Sequence, residues 1–352
     1  MNVKKILFLA ASNIKLFIIL LLFISNSKAV ETNIKYYSDD KGILSLMYHR
    51  FNEDKYPTTN IQMDVFKNQI EIIKKFKYNF YDPKNLEKNF DTPKSDKKIL
   101  ITIDDAFSSF YEFAWPYLKK EKIPFILFVS TEAVGKNGYM TWDQIRELEK
   151  ETITYIGNHS HSHDYLVDLE TDEFIVDINS SSLIFKEKLG YNPIFFSYPF
   201  GEYSLFIKEY ISKNFKFSFG QHSGVIDINK DRYELPRFPI NEKYGDLKRF
   251  KFLIKLSPLQ YKSLLPVEKY LTNKNPPKFV VEFFDEQKNL HNINCFSDEG
   301  NKWEKSNITL DQNILNLNFR DKFIFRRGRI NCSLNDDGVW RWFGVQFSVK
   351  QN

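Results

Sequence analysis

The chain has 352 residues, of which 42% are hydrophobic and 16% aromatic, and its formal net charge is +5. This length is sufficient for one large and one small domain, and the apolar content predicts well-formed cores. The composition therefore indicates a globular protein and excludes a disordered or fibrous one.

The first 29 residues have the pattern of an export signal. Three lysines precede an uncharged run over 16–24, and Ser27 and Ala29 suit a signal peptidase. We predict a signal peptide over 1–29 and a periplasmic, extracellular or envelope-associated protein, with an uncleaved anchor as the alternative. This segment holds four lysines and no acid, so the charge of the remaining chain is only +1. That charge gives no argument for a nucleic-acid partner.

Apolar runs that predict strands then alternate with segments that predict helices. The predicted strands cover 42–48, 78–81, 98–104, 124–129, 154–157, 194–198, 216–220 and 234–238. The predicted helices cover 66–76, 107–120, 141–150, 172–189 and 205–214, and a helical tail covers 247–270. Such alternation is typical of parallel βαβ units and predicts an α/β fold, a (β/α) barrel of seven or eight strands.

The composition of the sequence and the length of its apolar runs change after this region. By its composition 272–278 is a linker, and short apolar runs broken by Asp, Asn and Gly predict a small all-β sandwich. We therefore predict a first domain over 30–271 and an accessory domain over 279–352.

The chain has two cysteines, Cys295 and Cys332, and both lie in the predicted accessory domain. An oxidising compartment favours a disulfide between them. Two buried thiols are the alternative.

Two adjacent carboxylates, Asp104 and Asp105, end the third predicted strand, at the edge of the sheet where α/β folds place their chemistry. A solvated strand end with an Asx turn would also explain them. His159-Ser160-His161-Ser162-His163 follows another predicted strand. Carboxylates together with paired imidazoles indicate a metal site.

His159 and His163 are four residues apart, so a helical turn would allow both imidazoles to share one cation. Two nitrogens and one Asp oxygen leave coordination positions open, as in a catalytic zinc site. His161 would join or replace His163 if the segment were extended. The predicted cofactor is a divalent metal, Zn²⁺ first, with Co²⁺, Ni²⁺ or Mn²⁺ as alternatives.

A third segment, Ser197-Tyr198-Pro199-Phe200-Gly201, ends the sixth predicted strand. A turn of this composition could present a backbone N–H to a substrate and place a ring beside it. We therefore predict Tyr198, Pro199 and Phe200 as substrate-binding residues.

Together these segments resemble the polysaccharide deacetylases of carbohydrate esterase family four. The first family motif, Thr-Phe-Asp-Asp-Gly, corresponds to 102–106, and the second, His-Ser/Thr-x-x-His, corresponds to 159–163. The third, Arg-x-Pro-Tyr, corresponds to 197–200. The opening Leu-Met-Tyr-His-Arg of 46–50 is similar to the branch that includes poly-N-acetylglucosamine deacetylases.

The resemblance implies a distorted barrel of the deacetylase type. It also implies an enzyme that removes N-acetyl groups from an N-acetylglucosamine-containing polysaccharide, either exopolysaccharide or peptidoglycan. Asp104 would be the general base, and Asp105, His159 and His163 would be the metal ligands.

The sequence departs from the family pattern at three points. Ala106 replaces the glycine of the first motif, and Ser197 replaces the arginine that braces the catalytic Asp. Arg237 is the candidate substitute, with a surface arginine as the alternative. The late general-acid histidine has no clear counterpart. His222 is our first candidate, and His49 is the second, or else a residue that only lines the substrate site.

In the predicted accessory domain, Trp340 and Trp342 alternate onto one face and could stack on sugar rings, although a core role is equally compatible. The altered third motif and the missing general acid also leave open a degenerate carbohydrate-binding protein on the same fold. A different metallohydrolase on this barrel is a third hypothesis.

Overall fold

The computed structural model describes residue 36 and residues 41–91, 96–299 and 302–351. The predicted signal peptide lies outside these ranges. Within them, none of the helices combines the length and the apolar character needed to cross a bilayer.

Among the described residues, ten short strands belong to the first part of the chain. They are Ile43–Tyr48 (β1), Arg50–Phe51 (β2), Asn60–Ile61 (β3), Asn79–Phe80 (β4), Lys98–Ile103 (β5), Phe125–Val129 (β6), Thr154–Asn158 (β7), Phe195–Ser197 (β8), Phe217–Phe219 (β9) and Phe238–Pro239 (β10). Strands β2 and β3 form a separate parallel pair.

The other eight strands form one parallel sheet in the order β10-β1-β5-β6-β7-β8-β9, and β4 pairs with β5. A single parallel bridge between Phe219 and Leu235 connects β9 to the segment that leads into β10. The sheet therefore curves into a distorted and incompletely closed barrel. The predicted α/β barrel class is confirmed.

Seven α-helices of the described ranges accompany these strands. They are Met63–Lys75 (α1), Leu86–Asp91 (α2), Trp115–Glu121 (α3), Trp142–Glu149 (α4), Thr171–Leu189 (α5), Leu205–Asn214 (α6) and Leu247–Leu253 (α7). In α1 the buried Phe66, Ile70 and Ile73 recur at helical spacing and face the sheet. A capping box at Thr141 begins α4, and Gly190, at φ 87°, ends α5.

The central strands are buried along their whole length because both of their faces are covered. Every residue of β1, β5 and β6 is buried. Hydrophobic side chains fill both faces of the sheet, so charged groups can be held rigidly only where the strands end.

The predicted helical tail over 247–270 is wrong beyond α7. The residues that follow form strands Ser257–Pro258 (β11), Tyr261–Leu265 (β12) and Tyr270–Leu271 (β13). Proline at 258 and 266 interrupts a helix, and pairing with strands further along the chain satisfies the backbone instead. We propose that the C-terminal β region begins near Ser257 rather than after a linker at 272–278.

The described part of the C-terminal region continues with seven strands. They are Phe279–Phe283 (β14), Asn294–Ser297 (β15), Glu304–Lys305 (β16), Asn307–Asp311 (β17), Ile314–Asn318 (β18), Arg327–Asp336 (β19) and Val339–Val349 (β20). One sheet has the order β11-β20-β19-β15-β16, with β13 also on β20, and the other has the order β12-β14-β18-β17. Buried residues alternate along β14 and β19, and they contribute to one core. The predicted all-β region is confirmed.

The predicted disulfide is also present. Cys295 on β15 and Cys332 on β19 lie directly opposite each other, are fully buried and are bonded. The alternative of two buried thiols is therefore excluded. Disulfides are typical of oxidising compartments.

Replacing Cys295 and Cys332 together by alanine should lower the free energy of unfolding by about 3 to 4 kcal/mol, because the bond closes a loop with a sequence separation of 37. Denaturant titrations with and without reductant measure this. Reductant should destabilise the wild type and leave the double variant unchanged. Equal stability of the oxidised wild type and the double variant would contradict the prediction.

Candidate metal centre and active site

The candidate site lies where β5, β7 and β8 end. Asp104 and Asp105 follow β5, His159 follows β7, and Ser197 is the last residue of β8. Because these strands are parallel neighbours or share the same sheet, their carboxyl ends meet at one edge. The structure thus brings the three predicted motifs together.

The backbone turns sharply at this edge. Asp105 and Ala106 have φ of 74° and 54°, and Ser160 and His163 have φ of 67° and 61°. This left-handed region favours glycine, which explains the family's glycine at the position of Ala106. The turn after β5 also lets the two adjacent carboxylates take different directions.

Asp105, His159 and His163 form a compact group of potential metal ligands, with one donor atom from each lying within 4.8 Å of the others. Oδ1 of Asp105 is 3.4 Å from Nε2 of His159 and 3.1 Å from Nε2 of His163. The two imidazole rings contact edge to face, with centroids 4.8 Å apart. One oxygen and two nitrogens thus converge as the sequence predicts.

These donors fit a cation. Nδ1 of His159 lies 2.7 Å from the carbonyl oxygen of Ser197, which can only accept, so Nδ1 carries the proton and Nε2 presents a lone pair. Nε2 of His159 and Oδ1 of Asp105 are buried and have no hydrogen-bond partner among the described residues. Orphaned buried polar atoms of this kind call for a missing partner, and a divalent cation would satisfy both.

The electrostatics also suit a metal ligand. Burial raises the pKa of Asp105, but its contacts with His159 and His163 lower it more, and the resulting pKa is well below the ordinary value. Burial lowers the pKa of His163, but the contact with Asp105 raises it by more, so the net pKa is above its ordinary value. Asp105 is therefore a carboxylate at neutral pH, as coordination requires.

The loop that carries the histidines is fixed by a residue that the sequence analysis missed. The carboxylate of Asp177, on α5, accepts hydrogen bonds from the backbone N–H groups of His161 and Ser162, both at 2.8 Å. Asp177 is buried on the apolar side of the helix, an unusual place for an acid and the one signal that could have identified it.

His161 is not one of the converging ligands. Its Nδ1 lies 2.9 Å from Oγ1 of Thr131. The alternative that pairs His161 with His159 is therefore not the arrangement that the structure forms.

Asp104 is held by a buried ion pair with Arg237. Nη1 and Nη2 of the guanidinium donate to the two carboxylate oxygens at 2.6 and 2.8 Å, and both side chains are fully buried. Arg237 also donates to Oγ of Ser197 at 2.8 Å and to the carbonyl oxygen of Gly220 at 2.9 Å. The structure thus places Arg237 beside Asp104 and Ser197, while its proposed role stays a prediction.

The ion pair determines the charge of Asp104. Burial raises the pKa of this carboxyl, but the charges of Arg237 and His159 and the hydrogen bonds from Arg237 lower it more. The pKa is therefore below its ordinary value, and Asp104 is ionised at neutral pH. Nε2 of His159 is 3.9 Å from its Oδ2, so the carboxylate borders the ligand group.

The two candidate acids differ in their surroundings. Burial lowers the pKa of His49, which the nearby charges of Asp105 and Asp104 oppose. Burial lowers the pKa of His222 to about 4, and the charged groups that act on it are Glu234, Lys269, Arg237 and Lys208. The charges that act on His49 thus include those of the two aspartates, and both histidines line the same cavity.

Only one of the three residues predicted to bind substrate in the third motif has a side chain that lines the cavity. Tyr198, predicted to bind substrate, is fully buried and its hydroxyl donates to the carbonyl oxygen of Tyr233 at 3.0 Å. This prediction is corrected for the Tyr198 side chain, because it belongs to the core between the sheet and its helices. Pro199 is also buried, whereas Phe200 lines the cavity and contacts the ring of His163 at 4.8 Å between centroids.

Two C-terminal residues that the sequence analysis missed support this motif. Nε2 of Gln346, on β20, donates to the carbonyl oxygens of Phe200 and Gly201 at 3.0 and 3.2 Å. Arg326 pairs with Glu202 and Asp168 at 3.0 and 2.7 Å. The C-terminal region therefore holds the turn that places a ring against His163.

A cavity of about 580 Å³ opens over the site. From the barrel it is lined by residues that include Asp105, His163, His49, Phe200 and His222. From the C-terminal region it is lined by Trp303, Arg327, Arg329, Asn331, Trp342, Val345 and Gln346. Trp340, which was predicted with Trp342 as a sugar platform, does not line it and instead contacts Phe252 edge to face.

Comparison with known proteins agrees with this geometry. The family model described as polysaccharide deacetylase matches residues 91–215. A Bacillus subtilis protein, YxkH, whose name refers to polysaccharide deacetylases, is 28% identical over 114 residues, which are 32% of this chain and 40% of that protein. The chain therefore spans less than half the length of this relative.

Two further proteins cover more of the chain. A poly-beta-1,6-N-acetyl-D-glucosamine N-deacetylase of Staphylococcus aureus is 24% identical over 234 residues, 58% of this chain and 80% of that protein. The structure of the Streptococcus pyogenes deacetylase PplD in complex with acetate aligns with a TM-score of 0.53 and 22% identity, and the alignment covers 58% of this chain and 94% of that one. The structural match supports the same fold.

Replacing His163 by alanine should weaken Zn²⁺ binding by at least about 100-fold, since even residues outside the ligand shell contribute roughly 10- to 100-fold. Isothermal titration calorimetry of the metal-free protein measures this. His161→Ala is the matched control and should bind Zn²⁺ like the wild type. A large loss for the control with none for His163→Ala would contradict the assigned ligand set.

His222→Gln should make the protein less sensitive to acid. The folded-state pKa of about 4 lies below the ordinary value of 6.5, so the unfolded chain binds an extra proton between these pH values. Wild-type stability should therefore fall, relative to the variant, as pH decreases from 6.5 to 4, by at most about 1.4 kcal/mol per pH unit. Urea titrations at several pH values test this, and parallel pH profiles of the two proteins would refute it.

Proposed function

We propose that this chain, whose residues 91–215 match the family model described as polysaccharide deacetylase, hydrolyses the N-acetyl groups of an N-acetylglucosamine polysaccharide. The observation that carries the proposal is a buried Asp104, paired with Arg237, beside three converging metal-ligand atoms. The name of the Staphylococcus aureus relative supports poly-β-1,6-N-acetylglucosamine as the polymer. Peptidoglycan is the alternative.

Asp105, His159 and His163 would hold the divalent cation. We propose Zn²⁺, with Co²⁺, Ni²⁺ and Mn²⁺ as alternatives, because imidazole and carboxylate ligands suit all four. When bound, the cation supplies a Lewis acid that lowers the pKa of water and polarises the acetamide carbonyl.

Asp104 is the proposed general base. Its carboxylate lies next to the ligand group, and Arg237 fixes the orientation of this carboxylate. The guanidinium does not compete for the proton that Asp104 takes up. Arg237 can do this because a guanidinium stays protonated at any physiological pH. The carboxylate accepts the proton of the attacking water, and the neighbouring cationic guanidinium keeps the charged form stable until that step.

The negative charge that develops on the carbonyl oxygen needs a hydrogen-bond donor. The backbone N–H of Gly201 already donates to the carbonyl oxygen of Tyr198 at 2.9 Å. We therefore propose the N–H of Phe200 as the donor. Gln346 binds the carbonyl oxygens of this same turn and holds it in place.

The leaving amine needs a proton. The sequence favours His222 for this role. We propose His49, because it lines the cavity together with Asp105 and because the charges of Asp105 and Asp104, along with that of Arg237, act on it. His222 would then be a wall residue of the cavity. Acetate and a free amine are the products.

The degenerate binding protein is the weaker hypothesis. It depends on the altered third motif and on the missing general acid. For the first of these, Arg237 lies next to Ser197 and donates hydrogen bonds to both Ser197 and Asp104. For location, we propose an exported protein, periplasmic or extracellular, which the buried disulfide supports.

Asp104→Asn should reduce kcat for acetate release from poly-β-1,6-N-acetylglucosamine oligomers by about 10²- to 10⁴-fold, the usual contribution of a positioned base. Zn²⁺ affinity should be retained, because Asp104 is outside the ligand set. A chelator should abolish wild-type activity, and added Zn²⁺ should restore it.

The proposal fails if Zn²⁺-loaded wild-type protein releases no acetate from either these oligomers or peptidoglycan. Release of a different product from a non-acetylated amide would instead support another metallohydrolase on this barrel.

A further inference from the structure

The cavity above the candidate metal centre is shared between two parts of the chain. Asp105 and His163 line it from the barrel, and Trp303, Arg329 and Asn331 line it from the C-terminal sheets. The family model ends at residue 215, so this second wall lies outside the matched region. A bound polymer must therefore meet side chains that the family resemblance says nothing about.

The C-terminal wall is fixed firmly against the barrel. Gln346 is buried and hydrogen-bonded to the Phe200 turn, and Arg326 forms ion pairs with Glu202, which is also buried. The Arg326 guanidinium also lies 3.5 Å from the ring centre of Tyr165, and that ring stacks on Phe200 with centroids 4.1 Å apart. These contacts keep the wall in a constant position relative to the metal ligands.

Trp303 is the exposed aromatic residue of this wall. Its exposed fraction is 41%, which is high for an indole, and it lines the cavity. The guanidinium of Arg329 lies 5.4 Å from the centre of its ring and is itself held by Asp298 at 2.7 Å. The indole therefore has a supporting neighbour and keeps much of its surface free for a ligand.

The occupant follows from the chemistry of the cavity. An aromatic ring presents a flat apolar surface that suits the C–H face of a sugar ring, and neighbouring Arg and Asn side chains can hydrogen-bond to hydroxyl and acetamide oxygens. The cavity is continuous with the site where one acetamide would react. A chain of N-acetylated sugars bound there would extend along this wall.

We propose that Trp303, with Arg329 and Asn331, forms a subsite for sugar units beyond the unit that is deacetylated. This proposal rests on the proposed function for the identity of the ligand. It makes the C-terminal region a determinant of substrate length, so that long oligomers are used more efficiently than short ones. The binding energy of Trp303 should appear only when the oligomer reaches it.

The kinetic test compares a dimer and a hexamer of β-1,6-linked N-acetylglucosamine. For Trp303→Ala we expect roughly a tenfold loss in kcat/KM for the hexamer, carried by KM, and at most about a twofold loss for the dimer. Trp303→Phe should restore most of the hexamer activity. Trp340→Ala is the matched control, since Trp340 is 38% exposed and does not line the cavity.

A binding test keeps this proposal separate from the proposed function. In the Asp104→Asn background, isothermal titration calorimetry with the hexamer should show weaker binding for Trp303→Ala and unchanged binding for Trp340→Ala. If the wild type releases no acetate but this difference in binding appears, the enzyme proposal fails and the subsite stands. The subsite is refuted if Trp303→Ala binds the hexamer like its parent, or if its activity loss is the same for dimer and hexamer.

Discussion

The buried ion pair between Asp104 and Arg237 is the interaction on which the site depends. Removing two charges from water is costly, and a bidentate contact with further hydrogen bonds is what makes such burial tolerable. Arg237 meets this condition through Asp104, Ser197, Gly220 and Thr102. Arg237 lies in the short segment between Leu235, which bridges to β9, and β10, which pairs with β1. This segment thus places the positive charge that keeps Asp104 ionised.

A second constraint is backbone strain around the ligands. Asp105, Ala106, Ser160, His163 and Phe200 all have positive φ, although none is glycine. Such conformations cost about 1 to 3 kcal/mol each and persist only where the surroundings enforce them. Here Asp177 binds the backbone of the histidine loop and Gln346 binds the Phe200 turn. These strained conformations are therefore maintained by contacts from a helix and from the C-terminal sheets. Three of the residues, Asp105, His163 and Phe200, line one cavity.

Much of this could be predicted from local sequence. The apolar strands, their polar ends and the spacing of His159 and His163 are local patterns, and the resulting strand ends and ligand group agree with the structure. The contact between Asp104 and Arg237 spans 133 residues, and only the resemblance to a family suggested it. Tyr198 was misplaced because nothing local distinguishes a core tyrosine from one that faces a substrate. The strands after α7 were not predicted for a related reason, since the strands that they pair with lie later in the chain.

The C-terminal region illustrates the same limit. The sequence indicated two tryptophans on one strand, yet the structure places Trp342 and the distant Trp303 in the cavity and leaves Trp340 outside it. Sheet pairing and packing against the barrel, rather than spacing along β20, decide which aromatic residue meets the cavity. The barrel ends and the C-terminal sheets together therefore define one site.

The most direct test of this account is an anomalous-scattering map of Zn²⁺-soaked crystals, recorded on both sides of the zinc absorption edge. The account predicts one strong peak bonded to Asp105, His159 and His163, with Asp104 still paired to Arg237. A peak elsewhere, or one bonded to Asp104 after its separation from Arg237, would contradict it.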